Sequence, residues 1–123
     1  MTLPNGFVAF DRDQSFRAQA ADTTTIRAGW VANEPHGNAS FWATAIDHEM
    51  KGRDEARESK GQAGTLAWRV YRNKDLDPRF YLVGVAVEGD RTYIVEAFFP
   101  NQDAWQTHGE AVIASLASFD VKA

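Results

Sequence analysis

There is no cysteine among the 123 residues, which removes disulfides, thiolate metal ligands and cysteine nucleophiles together. Histidine is scarce as well. His36, His48 and His108 stand far apart, none within four positions of another, so the chain carries no zinc motif. A solitary histidine on an amphipathic helix is ordinarily a surface or packed residue. No metal and no cofactor are expected. Thirteen basic residues face seventeen acidic ones, for a formal charge of −4, and the basic ones nowhere form a run. That argues against nucleic acid or an anionic membrane as the main partner, because both require concentrated positive charge. Long apolar runs are missing too, so no transmembrane segment is expected. The start, Met1-Thr2-Leu3-Pro4-Asn5-Gly6, has neither the charged nor the apolar region of a signal peptide. A cysteine-free chain suits the cytosol as written, and equally a bacterial periplasm or envelope reached after removal of a signal.

The common catalytic motifs are also absent. Gly61-Gln62-Ala63-Gly64 lacks the lysine and hydroxyl residue of a phosphate loop and precedes a strand pattern, so it reads as a turn. No serine stands in a Gly-x-Ser-x-Gly elbow. Asp11 and Asp13 have the first spacing of a calcium loop, but Phe16 occupies the place of the loop glycine, and turn chemistry explains both acids.

What is present is a β-hairpin between Phe80 and Phe99. Two runs rich in β-branched and aromatic residues flank Gly89-Asp90, with glycine where a type II′ turn requires positive φ. Counting outward from the turn pairs Glu88 with Arg91, Val85 with Ile94, Val83 with Glu96 and Tyr81 with Phe98; the other face pairs Ala86 with Tyr93, Leu82 with Ala97 and Phe80 with Phe99. Both faces are mostly apolar, which places the ribbon near the middle of a sheet covered on both sides.

The rest of the chain reads as elements around that ribbon. Phe7–Phe10 and Ser15–Ala20 are two strands across a polar break, and Thr23–Ala32 is a third, ending in the turn formers Asn33 to Gly37. Asn38 caps a helix over Ala39–Lys51, with Phe41, Trp42, Ala45, Ile46, Glu49 and Met50 at helical spacing and Gly52 as its stop. The cap explains Asn38 better than the glycosylation sequon it formally begins. The charged segment Asp54–Lys60 is expected as an edge strand whose charge blocks unwanted pairing. After the 61–64 turn, Thr65–Arg72 is a strand joined to the hairpin as a meander. A second helix opens at Pro100-Asn101-Gln102-Asp103, with Trp105, Val112, Leu116 and Phe119 as its stripe and Gly109 allowing close approach to the sheet. Residues 119–121 read as a last short strand. Length and composition fit one α+β domain over residues 1–123, with an antiparallel sheet flanked by two helices.

One residue breaks the pattern. Glu96 falls on the face of Tyr81, Val83, Val85, Ile94 and Phe98, and a carboxylate there requires a partner, since burying a charge alone costs several kcal/mol. Arg69 is the first candidate, with Arg72 and Arg27 behind it. The structural reading is a carboxylate paired with arginine; the functional one is an acid in a cleft. Trp30, Trp42, Trp68 and Trp105 lie on four different elements, each on an apolar stripe, and read as core rather than as a ligand groove.

The order of elements, Phe41-Trp42 in the first helix, and a meander ending in Tyr93-Ile94-Val95-Glu96-Ala97 before a helix running to Ser118-Phe119 resemble the PsbP-like superfamily. That superfamily groups an extrinsic photosystem subunit, a Ran-binding nuclear import factor and small bacterial envelope lipoproteins. The resemblance implies an α/β/α sandwich and a family that mostly binds other proteins. It transfers no functional residue, and the lipidated cysteine of the lipoproteins is missing here. The expected function is accordingly a non-catalytic accessory or protein-binding domain, its partner another protein. The alternative is a small-ligand carrier or an enzyme using a cleft near Glu96. An open cleft gathering Glu96 with histidine or arginine favours the alternative; a filled interior beneath an exposed patch favours a protein partner.

Overall fold

A computed structural model describes residues 3–4, 6–12, 15–34, 36–53 and 55–118. Strands β1 (Val8–Arg12), β2 (Ser15–Gln19) and β3 (Thr25–Ala32) precede helix α1 (Ala39–Gly52). Strands β4 (Ala56–Ala63), β5 (Leu66–Arg72), β6 (Phe80–Glu88) and β7 (Arg91–Phe99) follow, then helix α2 (Gln102–Ser115), which tightens into a 3₁₀ turn at Leu116–Ser118. The strands form a seven-stranded antiparallel sheet in the order β1-β2-β3-β7-β6-β5-β4. The expected α+β class with an antiparallel sheet and two helices is what the chain forms. Among the described residues no helix is long and apolar enough to cross a membrane.

The hairpin sits near the middle of this sheet, in the register that counting from Gly89-Asp90 gives, from Glu88↔Arg91 out to Phe80↔Phe99. Gly89 has φ 58°, while Asp90 keeps the negative φ that distinguishes type II′ from type I′. The alternating faces of β6 and β7 meet different helices. Leu82, Val95, Ala97 and Phe99 join Ile26, Val70, Ala104, Val112 and Leu116 in the core under α2. Val83 and Val85 join Tyr71, Ala43 and Met50 under α1.

Both helices begin as their sequences require: Asn38 Oδ1 accepts the Phe41 N–H at 2.8 Å and Asn101 Oδ1 the Ala104 N–H at 2.8 Å. The end of α1 differs from expectation. Gly52 is still helical, and Arg53 forms the cap, its N–H donating to carbonyls of the last turn. The buried face of α1 is also rotated from the expected stripe. Ala43 and Met50 are buried, with Trp42 and Ile46 beside them, whereas Phe41, Ala45 and Glu49 face outward. Two polar anchors explain the rotation. Trp42 Nε1 donates to Asn33 Oδ1 at 2.8 Å, and Asp47 turns inward to Tyr71 and Arg69.

Asn33, in sequence one turn former among several, is buried and ties three segments together. Its backbone N–H donates to the Asp90 carbonyl at 2.8 Å, and its side-chain oxygen accepts from Trp42 and from the Gly37 N–H at 3.1 Å. The end of β3, the hairpin turn and the approach to α1 thus share one amide.

The charged segment after α1 is an edge strand, as expected, but β4 runs on through Gly61-Gln62-Ala63 and the turn is only Gly64-Thr65. Gly61 lies opposite Trp68 and must lack a side chain, because a Cβ there would come 2.4 Å from Trp68 Cζ2. Gly109 does the same within α2. A Cβ on it would meet Trp105 Cε3 at 2.8 Å, so it makes room for an indole one turn back rather than for the sheet. The expected contribution of Phe119, the strand over 119–121 and the turn residue Asp13 lie outside the described residues.

A Cβ added at Gly89 would meet nothing within 4 Å, so substitution there costs backbone strain alone. Gly89→Val is expected to destabilise the fold by about 1–3 kcal/mol in chemical denaturation. An unchanged midpoint would show that the turn tolerates a β-branched residue and that positive φ does not fix the hairpin.

Candidate functional site

One end of the sheet opens into a cleft of about 450 Å³ below the C-terminus of α1. Its floor comes from Phe98 of β7, Tyr81 of β6 and Met50 of α1, and its rim from Arg27 of β3, Arg53, Glu55 and Arg79. Glu96 lies within it. The local periodicities explain the gathering: Glu96 and Phe98 occupy alternate positions of one strand, and Arg27 is the direct cross-strand partner of Glu96.

Glu96 is held differently from the sequence expectation. Arg69 does lie on the same sheet face, but the Val83 position stands between them, and Arg69 reaches up to α1 instead. The arginine on Glu96 is Arg27, whose Nη2 stands 3.2 Å from Oε1. Arg72 pairs with Glu58 across the sheet edge at 3.1 Å. The shorter bond to Glu96 comes from the Tyr81 hydroxyl, which donates to Oε2 at 2.6 Å. Side-chain exposures of 53% for Arg27 and 27% for Glu96 put the ion pair at no more than about 1 kcal/mol. A short hydrogen bond to a carboxylate is worth about 1.5–3 kcal/mol, so the phenol is the stronger partner. Burial, and then the hydrogen bond and negative charge of Glu96, push the Tyr81 hydroxyl well above the ordinary tyrosine range. Arg27 completes the arrangement by lying over the Phe98 ring, 4.9 Å from its centroid.

A second polar cluster fastens α1 to the sheet. Asp47 accepts from the Tyr71 hydroxyl at 2.6 Å and from Arg69 Nε at 3.1 Å, with Arg57 at 3.2 Å. Burial works against the charge of Asp47, but the hydrogen bonds from Tyr71 and Arg69 and the two guanidinium charges outweigh it and hold the carboxyl below its usual range. Burial and Asp47 together push the Tyr71 hydroxyl up.

The remaining candidates do not converge on the cleft. His36 and His48 are exposed. His108 is packed, with Nε2 3.1 Å from Asp22 Oδ2 and its ring edge-on to Phe7, so it docks α2 on the β2–β3 turn. No tryptophan lines the cleft. Trp30 carries Arg91 over its ring at 4.2 Å, which occupies the guanidinium expected to face Glu88. Among the described residues no group of histidine, aspartate and glutamate is placed to hold a metal ion.

Comparison of the chain with protein-family models and with curated proteins gives no match. The site therefore rests on its own geometry. Sequence reasoning reached Glu96 and named Arg27 third, yet missed Tyr81, although the hairpin register makes it a diagonal neighbour of Glu96 on one face. It also missed Arg53 and Arg79, which enter from a helix end and a loop and have no pattern to betray them.

Replacing the carboxylate removes an acceptor from two donors. Glu96→Gln is expected to lower stability by about 1–3 kcal/mol, against about 0.5 kcal/mol or less for Glu88→Gln at the exposed turn. Equal, negligible losses in denaturant titrations would contradict this account of Glu96. The tyrosines set a second expectation. Their folded pKa values lie above the unfolded value of 10.0, so their stabilisation is whole below pH 10 and drains away as pH rises beyond it. The slope is about 1.4 kcal/mol per pH unit for each phenol. Unfolding curves at alkaline pH are expected to fall less steeply for Tyr81→Phe than for the parent chain, and parallel curves would count against the bond to Glu96.

Proposed function

We propose that residues 1–123 form one non-catalytic binding domain of the PsbP-like α/β/α type, with its ligand site in the cleft at Glu96. The observation that carries this reading is the cleft itself: a cavity of about 450 Å³ with an apolar floor and arginines at its rim, within the range of small-ligand sites. An open cleft joining Glu96 to arginine is the arrangement expected of a ligand carrier, and it makes a small molecule the better-supported occupant than a protein surface. The helices packed on opposite faces of the sheet support the sandwich.

The non-catalytic character rests on how the polar groups are committed. Both oxygens of Glu96 receive donors, one from Tyr81 and one from Arg27. The Tyr81 hydroxyl keeps its proton and spends it on that bond. In this reading Glu96 aligns Arg27 and Tyr81 rather than exchanging protons with a substrate.

A neutral fluorophore tests the site. N-phenylnaphthylamine is expected to bind saturably, one molecule per chain, and Phe98→Ala to weaken it by about tenfold or more, the effect of losing the aromatic surface the probe would cover. Circular dichroism of the variant checks that its fold is intact. No saturable binding, or an affinity that ignores Phe98→Ala in a folded variant, would refute a ligand site here.

A further inference from the structure

The charge of the cleft runs against the charge of the chain. Arg27, Arg53 and Arg79 line it with Glu55 and Glu96, and past Phe98 the same surface continues as a shallow groove onto Arg17. Among the described residues four guanidiniums thus meet three carboxylates, Glu49 on Arg53 included, on a chain whose formal charge is −4. The arginines are committed to different degrees. Arg27 holds Glu96 and Arg53 holds Glu49, yet their side chains remain 53% and 62% exposed. Arg79 is exposed and forms no ion pair among the described residues. A guanidinium with no ion pair among the described residues, set beside an apolar floor, suits a carboxylate or phosphate, which it grips through two parallel N–H donors.

The backbone around the cleft narrows the choice of ligand. At the positions that line it, Arg27 of β3, Glu96 and Phe98 of β7 and Tyr81 of β6, each strand is paired on both sides. Among the described residues no free strand edge lines the cleft, so a peptide would gain no ladder of main-chain bonds there. Whatever enters gains no such ladder and depends on the side chains that line the cleft. We infer that the cleft takes a small organic anion, a carboxylate or phosphate on an apolar body, with the body on Phe98 and Met50 and the charge met by Arg79 and its neighbouring arginines. This rests on the binding site proposed above and adds the chemistry of its ligand.

Two probes that share their fused rings and differ in charge provide the test. Anilinonaphthalene sulfonate is expected to bind about tenfold or more tighter than neutral N-phenylnaphthylamine. Arg79→Gln is expected to remove most of that advantage by weakening the sulfonate far more than the neutral probe, and Arg53→Gln to act in the same direction. Equal affinities for the two probes, or an Arg79→Gln protein that keeps the full preference, would overturn the inference while leaving a neutral-ligand cleft standing. If instead both probes ignored Phe98→Ala, the cleft itself would be the wrong site. The source of the anion is separated by displacing bound sulfonate with decanoate and by sedimentation with phosphatidylglycerol vesicles. Displacement without sedimentation assigns a free carboxylate, and sedimentation that depends on Arg79 assigns a lipid headgroup. If decanoate does not displace the sulfonate and the vesicles do not sediment the protein, the inference is overturned.

Discussion

The pairing of β3 with β7 is the constraint on which the rest of the molecule depends. The N-terminal strands and the β4–β7 meander are each built from neighbours in sequence, but the sheet becomes continuous only where Thr25–Ala32 meets Arg91–Phe98. Closing so long a loop costs chain entropy that the ladder and the packing on both its faces must outweigh. The contacts that secure it are spread along its length. Ile26 and Val95 bury on one face, Arg27 meets Glu96 across 69 residues of sequence on the other, and Asn33 binds the hairpin turn at the far end. The cleft follows from that ladder. Without it Arg27 would have no reason to lie beside Glu96 and over Phe98.

The two helices are fastened to the sheet by different physics. α2 is held mainly by apolar side chains, Ala104, Val112 and Leu116 against a face that includes Leu82, Val95 and Phe99, with Asp22 and His108 at its margin. α1 adds to its apolar contact two directional polar anchors, Asp47 toward Tyr71 and Arg69, and Trp42 toward Asn33. Apolar contact alone leaves a helix free to roll by a residue or so, whereas hydrogen bonds of fixed length do not. That difference fixes which face of α1 turns to the sheet and so sets Met50 toward the cleft.

Much of the fold was legible because it is local. The hairpin register, both helix caps and the charged edge strand rest on interactions within a few residues, where period and turn chemistry are strong signals. The failures share a cause. The α1 face was misjudged because periodicity registers Phe41 and Ala45 as well as Trp42 and Ile46 but not the pull of Asp47 toward a strand formed later in the chain. The 61–64 turn was placed too early because Gly61 marks an indole lying across the backbone, which looks in sequence like a turn glycine. At the site, Glu96 announced itself by breaking an alternation. Its arginine remained ambiguous until the β3–β7 pairing was known, and the rim arginines have no periodic signature at all.

The indoles have a spectroscopic consequence. Trp30 belongs to the N-terminal strands, Trp42 to α1, Trp68 to the meander and Trp105 to α2, so each unit carries one indole. Their surroundings are also unlike one another: a guanidinium over Trp30, an amide oxygen on the Trp42 N–H, bare backbone beneath Trp68, and the stacked ring of Phe80 with the edge of Phe99 around Trp105. A chain reduced to any one of these residues would emit from a single known layer, which turns the ordinary fluorescence of this protein into a map of where it loosens.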